Sequence, residues 1–328
     1  MMSATLPMPL PSDADLIPTQ RMQWILERLA REDAGLGDPT LLPARQGREL
    51  AERTNLRWNS DLPDLSVTEF AVTAAEGHSI PCRLLSPEKA DGLILFVHGG
   101  GWAFCGMTTH ERSARLLALE AGAHVLTFDY RLAPEAPHPA GLMDCRTVWT
   151  AVTAGRSELA GCSGPRALAG DSAGANLALA LLLMIQQQQL PAPDAALLFY
   201  GVYDADFETA SYLGQKDGPG LTRAKMMRYW DWYAADPADR SRPLVSPFQA
   251  TDDALRKLPP MFFNAAAIDP LRSDTENLVG RLRSLGRTDP YTLYPGVVHG
   301  FMQMSLELPE ARKAAAEAGR AFRELTGS

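Results

Sequence analysis

The sequence predicts an α/β protein: a mostly parallel sheet of about eight strands with helices on both faces, plus a helical cap. Three observations predict it. Short apolar runs, bounded by glycine and proline, recur between residues 66 and 294. Stretches of helical periodicity lie between most of them, and strands alternating with helices build a doubly wound parallel sheet. One run, residues 165–169, passes through Gly170-Asp171-Ser172-Ala173-Gly174 directly into an apolar stretch at 175–185.

Residues 1–50 carry no strand signal. Pro7, Pro9, Pro11 and Pro18 open them, then Met22, Ile25, Leu26 and Leu29 recur at helical spacing. We expect one amphipathic helix there, packed on the domain or covering a site. From residue 67 to 74 apolar and polar residues alternate, Gly77 and His78 mark a turn, and 80–85 reads as the hairpin partner. Further strands are expected at 93–97, 123–128, 166–169, 195–200, 261–265 and 291–294. Helices are expected at 109–121, 142–154, 175–185 and 273–285. Residues 203–242 interrupt the alternation with a helical insertion rich in Tyr, Trp and Met. The strand before it ends on the sheet edge where α/β folds bind ligands. The expected division is therefore a first cap segment at 1–50, core at 51–202, a second cap segment at 203–242, and core again at 243–328.

Composition narrows the function classes. A hydrophobic fraction of 46% over 328 residues is ample for a large core. A formal net charge of −8 argues against nucleic-acid or anionic-membrane partners, which require a basic face. No apolar run reaches membrane-spanning length, and residues 1–11 lack the basic and apolar regions of a secretory leader, so a cytoplasmic location is expected. Cys82, Cys105, Cys145 and Cys162 show no C-x-x-C spacing; we expect reduced thiols and no metal site.

The chemistry centres on Ser172. Strand, sharp turn and helix are the context that gives a G-x-S-x-G pattern meaning, and Ala173 at the helix start offers its N–H to a developing negative charge. His98-Gly99-Gly100-Gly101-Trp102 follows the strand at 93–97. Three successive glycines are costly to order, and they suit a loop whose amides must approach an oxyanion. A serine hydroxyl needs a base, and that base needs an orienting group. His299 stands in a glycine-flanked loop past the last strand; the other five histidines, His98 and His110 among them, sit in settings that read as structural. Asp269 stands before Pro270, just past the strand at 261–265, and is the orienting carboxylate. Asp274 and Glu276 read as surface or helix-dipole charges.

These residues, with Asp129-Tyr130-Arg131-Leu132-Ala133-Pro134-Glu135, His138-Pro139, Asp269-Pro270-Leu271-Arg272 and His299-Gly300-Phe301, make the chain resemble the hormone-sensitive-lipase-like carboxylesterases of the α/β-hydrolase superfamily. The matches run in family order from about residue 93 to 301. The resemblance implies a serine carboxylesterase, with Ser172 as nucleophile, His299 as base and Asp269 as its orienter; small short-acyl esters are the expected substrates, in place of the long-chain esters of a lipase, since no large exposed amphipathic lid is evident. The resemblance places the oxyanion donors at the N–H groups of Gly100, Gly101 and Ala173. It also implies that the cap lines an acyl pocket, for which we take Trp102, Tyr203, Phe207, Met226, Tyr229, Trp230 and Val298. Tyr130, Arg131, Glu135 and Asp144 resemble scaffold positions. No cofactor is called for, and the family likeness implies a homodimer. The same triad serves arylformamides, thioesters and acetylated sugars; a non-catalytic ligand receptor on this fold is the reading from another class, disfavoured because His299 is present.

Overall fold

The computed structural model describes residues 11–328. Residues 1–10, with Pro7 and Pro9 of the first segment, lie outside the described residues. The strands are β1 (Ser66–Thr73), β2 (Ser79–Ser86), β3 (Leu93–Val97), β4 (His124–Phe128), β5 (Arg166–Asp171), β6 (Ala195–Phe199), β7 (Met261–Ile268) and β8 (Tyr291–Val298). They form one sheet in the order β1-β2-β4-β3-β5-β6-β7-β8. The β1–β2 hairpin and the β2–β4 pair are antiparallel, and every other pairing is parallel.

Three strands run further than the sequence pattern implies, because pairing rather than composition decides where a strand stops. Gly170 and Asp171 stay in register with Leu198 and Phe199, so β5 continues to the residue before Ser172. Val298 pairs with Ile268 beyond an irregularity at Ala266/Ile268, which carries β7 and β8 to the brink of Asp269 and His299.

The helices are α1 (Gln20–Glu32), α2 (Ala44–Asn55), α3 (Glu111–Ala121), α4 (Ala140–Thr153), α5 (Ala173–Gln188), α6 (Ala210–Gly214), α7 (Arg223–Tyr233), α8 (Asp252–Arg256), α9 (Arg272–Ser284) and α10 (Pro309–Thr326). They sort onto two faces as strand alternation requires. Ile94 and Phe96 of β3 join α3 and α10 in one apolar cluster, while Leu93, Leu95 and Val97 join α4, α5 and α9 in the other. Helix α5 is buried from Ala173 to Ile185, which explains its lack of a polar face. Helix α1 buries Met22 and Ile25 in the α3/α10 cluster. Helix α2 and a short turn at Leu56–Trp58 carry the first helical segment past residue 50, so that boundary falls inside a helix. Helices α6 and α7 lie in the second segment, 203–242.

Helix α10 was not among the expected elements, although its alanines recur at helical spacing: Ala311, Ala314, Ala315 and Ala318 are buried with Phe322. Small residues let it lie close on α3, and a Cβ at Gly319 would run into the Glu120 carbonyl. Among the described residues no helix is long and apolar enough to cross a membrane. Replacing Gly319 by Val should push α10 off α3 and cost about 2 kcal/mol, the middle of the overpacking range. A urea melt would register this as a lower midpoint at unchanged slope.

Candidate active site

Between the last residue of β5 and the first of α5, Ser172 alone makes the turn, with φ 54° and ψ −121°. A non-glycine residue in such backbone costs on the order of 1–3 kcal/mol and persists only where its surroundings enforce it. Here the enforcement is contact. A Cβ on Gly170 would strike the Gly174 backbone, and one on Gly174 would strike the Val97 carbonyl at the end of β3. The turn can close only with glycine at both places.

The loop after β3 approaches the same point. Gly100 and Gly101 have φ 117° and 60°, and side chains there would collide with the Phe104 carbonyl and the Tyr229 ring. The backbone N–H groups of Gly100, Gly101 and Ala173 donate to no protein group in the described structure. Gly99 is held on both sides: its N–H donates to Asp171 Oδ1 at 2.8 Å, and its carbonyl accepts from His98 Nδ1 at 2.8 Å.

Strands β7 and β8 deliver the other two groups at the same edge. Asp269, fully buried, accepts the Leu271 N–H on Oδ1 at 2.8 Å and the His299 Nδ1–H on Oδ2 at 2.7 Å. The Ser172 hydroxyl donates to His299 Nε2 at 2.9 Å. One imidazole thus bridges a buried carboxylate and a hydroxyl, the arrangement that lets a serine lose its proton as it attacks. The Tyr200 ring stands edge-on to His299, with centroids 5.2 Å apart, and limits its rotation.

Ser172 and His299 open onto a cleft of about 260 Å³. Its walls come from Ala51, Asn55 and Trp58 beside α2, from Leu221, Met226 and Tyr229 of the second cap segment, and from Phe104, Gln303 and Met304. Of the seven pocket residues expected from sequence, Met226 and Tyr229 lie on this wall. Trp102, Tyr203, Phe207, Trp230 and Val298 do not. Trp102 turns inward and stacks on Tyr233 at 4.2 Å, with Trp230 edge-on at 4.9 Å. Tyr203 and Val298 are fully or almost fully buried, and Phe207 packs partly buried against the same core as Tyr203. Met226, Tyr229, Trp230 and Tyr233 share one face of α7: the two nearer its start reach the cleft, while Trp230 and Tyr233, further along, anchor the helix to the core. The wall from Asn55 and Trp58 lies beyond the expected cap boundary, and nothing in their spacing announces it.

Two further corrections concern charge. Asp274 and Glu276 are buried, not surface groups. Asp274 accepts the N–H groups of Tyr203 and Asp204 at 2.9 and 3.2 Å, fastening the start of the second cap segment, although burial pushes its carboxyl well above the usual range. Glu276 lies 3.3 Å from Arg272 within α9. The remaining polar groups near the site are quiet. Burial, reinforced by the neighbouring His110, pushes His98 down to about 4, and burial pushes the Cys105 thiol in the cleft wall up to about 12, which leaves Ser172 as the nucleophile within reach of a base. Arg131 pairs with Asp144 at 2.8 Å, and Arg48 of α2 with Glu135 at 2.8 Å, so these scaffold positions tie loops and cap to the core.

Comparison with known proteins agrees with this geometry. The α/β hydrolase fold family matches residues 94–303. Acetyl esterases of Salmonella schwarzengrund (strain CVM19633) and Salmonella typhi are 31% and 30% identical over 317 residues, 96% of this chain and 88% of theirs. A thermostable esterase from Pseudomonas putida ECU1011 superposes with a TM-score of 0.87 at 29% identity, over 96% of this chain and 99% of its own. An ester hydrolase from the metagenome of Lake Arreo, solved with a bipyridine phosphonate derivative, gives 0.88 at 28% identity, covering 95% and 100%. With its sheet order, its strained serine turn and these relatives along nearly its whole length, the chain belongs to the α/β hydrolase fold family, among its hormone-sensitive-lipase-like carboxylesterases.

Proposed function

We propose that this carboxylesterase works by two-step acyl transfer through Ser172 on small esters with short acyl groups. The observation that carries the reading is the unbroken relay from Asp269 to His299 at 2.7 Å and on to Ser172 at 2.9 Å, opening onto the cleft. Ser172 Oγ attacks the ester carbonyl while His299 Nε2 takes its proton. The carbonyl oxygen, now an oxyanion, accepts from the N–H groups of Gly100, Gly101 and Ala173. The C–O bond to the alcohol breaks as His299 returns the proton to the leaving oxygen. Water then attacks the acyl-enzyme by the same sequence, releasing the acid and restoring Ser172. Asp269 keeps the imidazole proton on Nδ1 and offsets the charge on the imidazolium.

A short acyl group is supported by the cleft's modest volume, by the bulk of Tyr229 and Met226 in its wall, and by relatives named acetyl esterases. Four free cysteines support the cytoplasmic location. The negative net charge supports a small-molecule partner in place of nucleic acid or an anionic membrane. The homodimer rests on family likeness alone.

With p-nitrophenyl esters from acetate to palmitate, we expect hydrolysis confined to the short chains and abolished in Ser172→Ala. Activity surviving that substitution would refute the mechanism. Asp269→Asn should keep the hydrogen bond but invert the tautomer of His299, lowering kcat by about 10⁴ with little change in KM. Tyr229→Ala removes bulk from the cleft wall. It should shift the optimum toward longer acyl chains, and an unchanged chain-length profile would place the acyl group elsewhere.

A further inference from the structure

Behind Ser172 a second set of buried groups is left unused by the mechanism. Asp171 is 3% exposed and His110 1%. Asp171 Oδ1 accepts the Gly99 N–H at 2.8 Å, and its Oδ2 lies 3.5 Å from His110 Nε2. The same ring nitrogen is 2.8 Å from the Gln303 side-chain amide. Gln303 Nε2 is the atom that faces the ring nitrogen; turning that amide, which exchanges its nitrogen and oxygen, lets His110 Nε2 present a proton to Asp171 while the Gln303 carbonyl oxygen accepts from it. Gln303 in turn belongs to the turn that follows His299, where its backbone N–H donates to Gly300 at 3.1 Å. The Gly99 carbonyl is held by His98, whose ring stacks on Tyr130 with centroids 4.3 Å apart.

We propose that Asp171, braced by His110, is a positioning residue that sets the oxyanion loop against the nucleophile, and that Gln303 ties the loop bearing the base to the same brace. Three loops supply donors, nucleophile and base, and each has one member in this chain of contacts. Asp171 suits the task because it is covalently next to Ser172: whatever fixes its carboxylate also fixes the strained turn. Its bond to Gly99 sets how far the Gly100 and Gly101 amides stand from Ser172 Oγ. Burying a carboxylate costs stability, and packing alone would be better served by an apolar residue of similar size. What the carboxylate supplies is a rigid, charge-assisted acceptor for the loop.

The inference rests on Ser172 being the nucleophile, and the test separates the two. Wild type, Asp171→Ala, Asp171→Asn and His110→Leu are compared for kcat and KM on p-nitrophenyl acetate and for the rate of phosphonylation by an alkyl p-nitrophenyl phosphonate. Thermal midpoints are recorded for each. Asp171→Ala should lower kcat by on the order of 10² with KM nearly constant, and phosphonylation should slow in parallel, since both reactions place charge in the oxyanion site. Asp171→Asn keeps an acceptor for Gly99 and should recover about tenfold of that loss. His110→Leu should cost about tenfold, and combined with Asp171→Ala should cost no more than Asp171→Ala alone, as members of one network do. Folded variants with kcat within about twofold of wild type, or losses that simply multiply, would overturn the proposal. If Asp171→Ala fails to fold, Asp171→Asn and His110→Leu decide by the same criteria. A wild type that resists phosphonylation would overturn the nucleophile and this inference with it; a wild type that reacts, with variants equally fast, would overturn this inference alone.

Discussion

The structure depends on a backbone contact. Where β5 turns into α5, the first turn of the helix lies directly against the end of β3, with Gly174 facing the Val97 carbonyl and Gly170 facing Gly174. No side chain fits at either glycine. That contact forces Ser172 to φ 54° and aims its hydroxyl over the sheet edge. It also brings the loop after β3 beside the serine, so Gly100 and Gly101 line the same cleft as Ser172. Serine turn and glycine loop are neighbours because two strands and one helix are packed to backbone distance.

Loops at and near the sheet are then held by carboxylates accepting backbone N–H groups. Asp129 holds Met107 at 2.7 Å, Asp144 holds Arg131 at 2.9 Å, Asp171 holds Gly99 and Asp274 holds Tyr203. A carboxylate–amide bond is stronger than a bond between neutral groups, and it fixes a loop without needing a strand partner. Each of these carboxylates is offset by donating or positive partners, as Asp144 is by Arg131. Burial works against the Asp171 carboxylate, yet the charge and hydrogen bond of His110 and the Gly99 N–H hold it below the usual range.

The cap has a different physical basis. Its second segment is anchored by aromatic packing, Trp102 against Tyr233 and Trp230, and its first by Met22 and Ile25 in the opposite cluster and by the Arg48–Glu135 pair. The two segments meet at the cleft, whose walls draw on both, and are tied beside it by Arg228 of α7, which pairs with Asp38 at 3.2 Å and donates to the Thr40 hydroxyl at 3.0 Å. The cleft's shape therefore follows from how two separately anchored pieces approach each other, while the chemistry beneath follows from the sheet.

That division matches what could be read from the residues in order. Strand and helix alternation, the glycine loop, the serine turn and the positions of Asp269 and His299 depend on local patterns: periodicity, small residues at turns, a polar group just past an apolar run. The sequence by itself determined these, down to the order in which the chemical groups arrive. It did not place Trp102, Tyr203, Phe207, Trp230 and Val298 away from the cleft, because a side chain's direction depends on which face of its element meets a neighbour. It did not bury Asp274, whose partners lie some seventy residues earlier, nor join Asp171 to His110 and Gln303, which span 193 residues. Only the tertiary structure decided these, since contacts between distant segments are made by the packing of whole elements and leave no periodic trace along the chain.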